Sequence, residues 1–317
     1  MNSINDIFKI KNLRIGQAQD QEAATGCTVL LFEEGATVGV DVCGAAPGSR
    51  ELALLEPGNL VEKVHAIVLS GGSAFGLASM DGVVNYLEEQ GIGYDTGTAR
   101  VPIVCGTVLY DLAIGSARIR PDHAMGYRAA QSANRNDFLE GNYGAGTGAV
   151  IGKASGMGNA TKSGIGCATL TFDNGLVVSA IVAVNALGDV YEKDRIIAGM
   201  RYPKGTTWAD TEQYILNGYQ TEIFTGANTT LGVIVTNAQL TKAQARRLAQ
   251  TTHDAYARCI RPVHTLYDGD AIFAAATGEL PFTDQLFLSV AANRAMEQAI
   301  VRAVRAAEDL DGVKAMD

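Results

Sequence analysis

No apolar run in this chain reaches the ~18 residues that a membrane helix needs. The opening stretch MNSINDIFKIKNLRIGQ also lacks the apolar core of a secretory leader, so a cytoplasmic location is the expectation. No block of Lys and Arg is present. Asp and Glu number 34 against 25 Lys and Arg, leaving a net charge of -9 and a pI of about 5.0. Such a balance argues against partners made of nucleic acid or anionic lipid. The five cysteines, Cys27, Cys43, Cys105, Cys167 and Cys259, never fall at CxxC spacing and read as free, mostly buried thiols. The four histidines, His65, His123, His253 and His264, form no HExxH or HxH pair, so the sequence itself proposes no metal and no cofactor. Linkers rich in Pro, Ser or charge are absent, as are internal repeats, which favours a single domain over residues 1–317.

Three glycine motifs fail on inspection. SGGSAFG has Phe75 where a GxSxG nucleophile elbow requires glycine, so Ser73 reads as a helix cap rather than a nucleophile. GAGTGA at 144–149 ends in alanine and is followed by no acidic ribose partner. TGAVIGKA at 147–154 has Thr147 in place of the first P-loop glycine and Ala154 in place of the magnesium-binding hydroxyl.

What is present is apolar sequence broken by many turns. Hydrophobic residues make up 47% of the chain and glycines number 36, scattered rather than tracted. CTVLLF and ATVGVDV, separated by Glu-Glu-Gly, read as a hairpin. HAIVLS and VPIVCGTVLYDL read as buried strands, and SAFGLASMDGVVNYLEEQG and DHAMGYRAAQSA as helices. ATLTF and LVVSAIVAVNALGDVY, joined by Asp-Asn-Gly, form the clearest hairpin. TTLGVIVTN and GDAIFAAAT are strands. TKAQARRLAQTTHDAYARCI is a helix with Thr241 as its N-cap, and TDQLFLSVAANRAMEQAIVRAVRAAEDL is a long last helix. The glycine-rich stretch 141–168 and the weakly periodic stretch 196–222 read as loops, of which 141–165 and 196–222 shape a cleft. Strands grouped in hairpins with helices between the groups imply a mixed α/β sandwich.

The stretch FTGANTTLGVIVTN, residues 224–237, carries the chemistry. By residue type alone, Thr229 and Thr230 are strand formers, and a threonine hydroxyl is a weak nucleophile without a base beside it. Cutting the Asn228–Thr229 bond would supply that base, an α-amine with a pKa of about 7.7–8.0. Residue type also allows Lys153 to be an exposed loop lysine and Tyr110 a packed strand residue. It equally allows Asn185 to make the turn before Gly188, and Asp268-Gly269-Asp270 to make a hairpin turn.

GANTTLGVIVTNAQLT, followed by IRPVHTLYDGDAIFAAAT, resembles the self-cleaving DmpA-type peptidases. This family includes L-aminopeptidase/D-amino-acid amidases, β-peptidyl aminopeptidases and the nylon-oligomer endohydrolase. VLSGGSAFGLASMDGV, VPIVCGTVLYDL, GAGTGAVIGK and AVNALGDV follow the family's order, and the resemblance covers most of residues 8–305. It implies a four-layer αββα sandwich like that of N-terminal nucleophile hydrolases. It also implies self-cleavage between Asn228 and Thr229, giving chains 1–228 and 229–317 that stay associated, assembled further as a homo-oligomer (tetramer or larger).

The Asn-Thr-Thr run matches the nylon-hydrolase branch and makes Thr229 the nucleophile. Lys153 then matches a catalytic lysine, Asn185 an oxyanion-hole asparagine and Tyr110 a tyrosine near the nucleophile. Asp268 and Asp270 match an acidic pair needed for processing, where the aminopeptidase branch has a serine and a glutamate. The implied activity is hydrolysis of amide bonds in small peptides or ω-amino-acid oligomers, without cofactor. The alternatives are acyl transfer of the ornithine-acetyltransferase type, in which an amine replaces water as acceptor, and a non-catalytic glycine-rich binding protein.

Overall fold

The computed structural model describes residues 4–202, 207–218, 228–282 and 284–316. Its framework in chain order is β1 (Arg14–Asp20), β2 (Thr25–Val42), β3 (Gly48–Arg50), β4 (Val64–Ser70), α1 (Ser79–Glu89), β5 (Val104–Val108) and α2 (His123–Ser132). There follow β6 (Ile165–Thr171), β7 (Val177–Asn185), β8 (Thr229–Ala238), α3 (Lys242–Cys259), β9 (Ala271–Leu280) and α4 (Gln285–Arg305). The strands form one ladder in the order β6-β7-β8-β9-β2-β4-β5-β3, with β1 also paired to β2.

The ladder divides into two packed faces within β2. Residues 27–31 of β2 pair with β4, whereas residues 37–42 pair with β9. Alternate side chains of each strand point to opposite faces, and here the two faces meet different cores. In β4, Ile67 and Leu69 enter a central core, while Ala66 and Val68 pack under α1 and α2. In β8, Leu231, Val233 and Val235 enter the same central core, while Ile234 packs under α3 and α4. The central core joins Leu30 and Cys105 from one half of the ladder to Ile181 and Phe273 from the other. The result is helices, sheet, sheet, helices: the αββα sandwich expected from the sequence. Among the described residues, no helix is long and apolar enough to cross a membrane.

Several local readings hold. Thr241 caps α3 in a reciprocal capping box with Gln244, and β6 and β7 pair as the expected hairpin. Four cysteines are buried, Cys43 is exposed, and all five are free.

Others are corrected. The expected hairpin over residues 27–42 is one continuous strand, with a register irregularity against β4 between Leu31 and Ala36. Gly35 takes φ +71° there, and the Asn12 side chain satisfies the irregular backbone by donating to Gly35 O (3.1 Å) and accepting from Glu34 N (3.0 Å). A turn and a bulge draw on the same residue types, so Glu-Glu-Gly does not distinguish them locally.

Ser73 is not a cap. Gly72, left-handed at φ 80°, precedes a 3-10 helix that begins at Ser73, with no side-chain cap bond. The stretch 196–222 is more ordered than its pattern implied: Arg195–Ala198 is a strand and Thr211–Leu216 a short helix, while residues 203–206 and 219–222 lie outside the described set.

Candidate active site

Strand directions bring the site together. β8 and β9 are parallel, so their N-terminal ends lie at the same edge, and β7 is antiparallel to β8, so its C-terminal end reaches that edge too. Thr229 opens β8 opposite Asn185, the last residue of β7. The loop entering β9 carries Asp268, Gly269 and Asp270 alongside, with Asn228 and Asp268 forming a parallel bridge.

The junction itself is buried: Asn228 is 1% and Thr229 3% exposed. The Thr229 hydroxyl donates to the carbonyl oxygen of Asn228. That oxygen also accepts the Gly269 N–H at 2.9 Å. One step along, the Thr230 N–H donates to Asp270 Oδ1 at 2.6 Å, so the two threonines have different partners.

Asn185 ties three segments together. Its Oδ1 accepts from Val150 N (3.0 Å) and from Lys153 Nζ (3.1 Å), and its backbone oxygen also accepts from Lys153 Nζ (2.9 Å). Its Nδ2 donates to the carbonyl oxygen of Tyr110 at 2.9 Å. These partners fix which end of the amide is nitrogen. Tyr110 thus meets Asn185 through its main chain.

Lys153 is not an exposed loop lysine but is 8% exposed. Loss of hydration lowers its ammonium pKa to about 7, against the opposing pull of Asp268, Asp270 and Asp111. Burial, and then the charge of Asp270, push the Asp268 carboxyl up to about 6, although Thr265 donates to it from both N and Oγ1. Asp270 is fully buried; its Oδ2 lies 2.8 Å from His264 Nδ1 and accepts from His264 N at 3.2 Å.

All seven residues named from the sequence therefore lie in one connected cluster. Gly269, Thr265 and His264 belong to it but went unrecognised. Gly269 sits inside the very YDGD run that named its neighbours, yet its contribution is a backbone N–H, which no residue type reports. His264 and Asp270 lie in an irregular loop, where spacing reports no shared face.

A four-layer αββα sandwich in which a nucleophile-bearing strand starts at a sheet edge is the architecture of the N-terminal nucleophile hydrolases. The chain belongs to Peptidase family S58, whose model matches residues 2–317, and is accordingly an amide-bond hydrolase of that family. It is 39% identical over 326 residues to an uncharacterised aminopeptidase of Mycobacterium tuberculosis (strain ATCC 25618 / H37Rv), covering 97% of this chain and 90% of the relative. It is 31% identical over 281 residues to a 6-aminohexanoate-oligomer endohydrolase of Agromyces sp. (strain KY5R), covering 86% and 75%.

Two solved structures share the fold. A Burkholderia sp. beta-aminopeptidase superposes with TM-score 0.72 at 22% identity, covering 99% of this chain and 90% of that one. The L-aminopeptidase D-Ala-esterase/amidase of Ochrobactrum anthropi, described as a variant of the Ntn hydrolase fold, superposes with TM-score 0.74 at 19% identity, covering 100% and 92%.

Proposed function

We propose that the chain cuts its own Asn228–Thr229 bond and then hydrolyses small amide substrates with the newly exposed Thr229. The observation that supports this best is the Thr229 hydroxyl lying on the Asn228 carbonyl while the Gly269 N–H donates to the same oxygen at 2.9 Å.

In the first stage a base removes the hydroxyl proton and Oγ1 attacks the Asn228 carbonyl carbon. Lys153, held near pKa 7, is suited to that task at neutral pH. Charge developing on the Asn228 oxygen meets the Gly269 N–H, an oxyanion donor already in position. Collapse breaks the C–N bond, the Thr229 nitrogen takes a proton and leaves as an amine, and an ester remains. Water then hydrolyses the ester, freeing the Asn228 carboxylate and the Thr229 α-amine.

In the second stage that amine, with a pKa of about 7.7–8.0, or Lys153 takes the Oγ1 proton as the hydroxyl attacks a substrate carbonyl. Asn185 Nδ2 carries two N–H donors, one of which serves Tyr110, and supports the substrate oxyanion. Asp270 holds the Thr230 N–H, and Asp268 with Asp270 balances the charge of Lys153 or of the new ammonium. The relatives' names, an aminopeptidase and a 6-aminohexanoate-oligomer endohydrolase, point to short peptides or ω-amino-acid oligomers as substrates.

Intact-mass measurement tests the reading. Wild type is expected to give two polypeptides, one ending at Asn228 and one starting at Thr229, whose summed mass exceeds the precursor by one water. Thr229→Ala is expected to remain a single inactive chain, and Thr230→Ala to be cut at the same bond. A wild-type chain that stays whole on long incubation, or a Thr229→Ala chain that still hydrolyses amides, overturns it.

A further inference from the structure

Beside the acidic loop, the fold assembles a group of side chains to which the proposed reaction assigns no step, joined to the active site through the His264–Asp270 contact. One ligand atom from each of Cys43, His253 and His264 lies within 4.8 Å of the others. Cys43 is remote in sequence from the two histidines. Cys43 follows the end of β2, His253 lies in α3, and His264 lies in the loop between α3 and β9. The strand pairing that builds the active site also gathers this group, since Cys43 N donates to Asp270 O at 3.1 Å.

We propose that Cys43, His253 and His264 bind one divalent transition-metal ion of the Zn²⁺ class. Four features carry the assignment. First, His264 Nδ1 lies 2.8 Å from Asp270 Oδ2, so its ring is oriented by a carboxylate and Nε2 is the nitrogen left to act as ligand. Metal-binding histidines are commonly held this way. Second, His264 Nε2 and His253 Nδ1 are buried without a hydrogen-bond partner among the described residues. The two rings meet edge to face, with centroids 4.8 Å apart, a contact that gives neither nitrogen a hydrogen bond.

Third, Asp41 Oδ2 lies 3.2 Å from Cys43 Sγ and 3.6 Å from His253 Nε2, so a carboxylate holds that edge of the His253 ring and leaves Nδ1 as its ligand atom. Fourth, the donor types fit. Two imidazoles and a thiolate, with water as the fourth ligand, suit a borderline ion in tetrahedral coordination, and are a poor match for Mg²⁺ or Ca²⁺, which require oxygen ligands.

Tetrahedral Zn²⁺ holds its ligand atoms roughly 3.4 Å apart, so closing the group from 4.8 Å requires a movement of up to about 1.4 Å. Cys43 is exposed, and rotating its side chain can bring its sulfur toward the two rings. On binding, the thiol proton passes to solvent and the sulfur binds as thiolate, with no change of oxidation state.

The test uses the full-length protein, reduced and stripped with a chelator. Zn²⁺ is titrated by calorimetry and Co²⁺ by absorbance. One ion per chain is expected, with a thiolate-to-cobalt charge-transfer band in the near ultraviolet. Cys43→Ser is expected to abolish the band and weaken Zn²⁺ binding about tenfold or more, and His253→Gln to weaken it similarly. If His253→Gln fails to fold, the exposed Cys43→Ser change decides by itself. Absence of saturable binding to wild type, binding without the thiolate band, or unchanged affinity in Cys43→Ser overturns the proposal. These readouts do not use activity, and Thr229→Ala is expected to bind the ion as wild type does, so the result stands apart from the hydrolytic reading.

Discussion

At Lys153 two influences oppose each other: burial disfavours its charge, and three carboxylates favour it, with the balance near pKa 7 against an ordinary 10.5. Below that pH the ammonium cannot accept the Thr229 proton; above it the amine can. Self-cleavage, followed as loss of precursor with time, is therefore expected to speed up as pH rises through about 7. Lys153→Arg, charged throughout, is expected to remove that rise and slow cleavage about 10²-fold or more. Gly269 offers a second measurement. A Cβ there would sit 2.9 Å from Thr229 Oγ1 and 2.7 Å from Ala46 O, so the backbone must move and carry its N–H away from the Asn228 oxygen. Gly269→Ala is expected to slow cleavage about 10²–10³-fold, as the loss of an oxyanion donor does, measured by the same time course.

Among the elements, the local ones were the readable ones. Helix α3 announces itself through Thr241 and Gln244, which bond within one turn. The hairpin of β6 and β7 does so through its Asp-Asn-Gly turn. The course of β2 depends on its partners, which no local pattern reports: its first half follows β4 and its second half β9. Close packing also hides in glycines that look like turn residues. Gly39 lies in β2 under α3, where an added Cβ would come within 2.1 Å of Arg246 N and 2.5 Å of Ala245 C, both backbone atoms. Gly39→Ala must lift α3 from the sheet. In a Thr229→Ala background it is expected to destabilise the fold by about 1–3 kcal/mol or more, read as a lower urea midpoint.

For the whole molecule, the proposed cut would release surprisingly little. Residues 229–317 contain β8, α3, β9 and α4, and β8 is hydrogen-bonded to β7 on one side while β9 pairs with β2 on the other. The central and helical cores are likewise shared between residues on both sides of the bond, Ile181 with Val233 and Val182 with Ile300 among them. Each such fully buried side chain contributes roughly 1.5–3 kcal/mol, so one broken peptide link leaves the contacts dominant. After cleavage the two chains are expected to co-elute in native size-exclusion chromatography and to separate only in denaturant; separation in native buffer counts against this interleaved arrangement.

The sequence alone carries the helices, most of the strands and, through the resemblance of one ordered set of motifs, the layered sandwich and the residues proposed for the site. These are written in short-range patterns and in residue types that a resemblance can match. Only the tertiary structure decided that Lys153 is buried beside Asn185, that the Gly269 N–H meets the Asn228 oxygen, and that His264 stands behind Asp270. The Gly269 contact depends on β8 and β9 running parallel with a helix between them, so that Asn228 and Gly269 share one edge, while Lys153 and His264 reach their partners from loops. Parallel neighbours joined by a crossover carry no local turn signal, and main-chain donors carry no signature in the sequence.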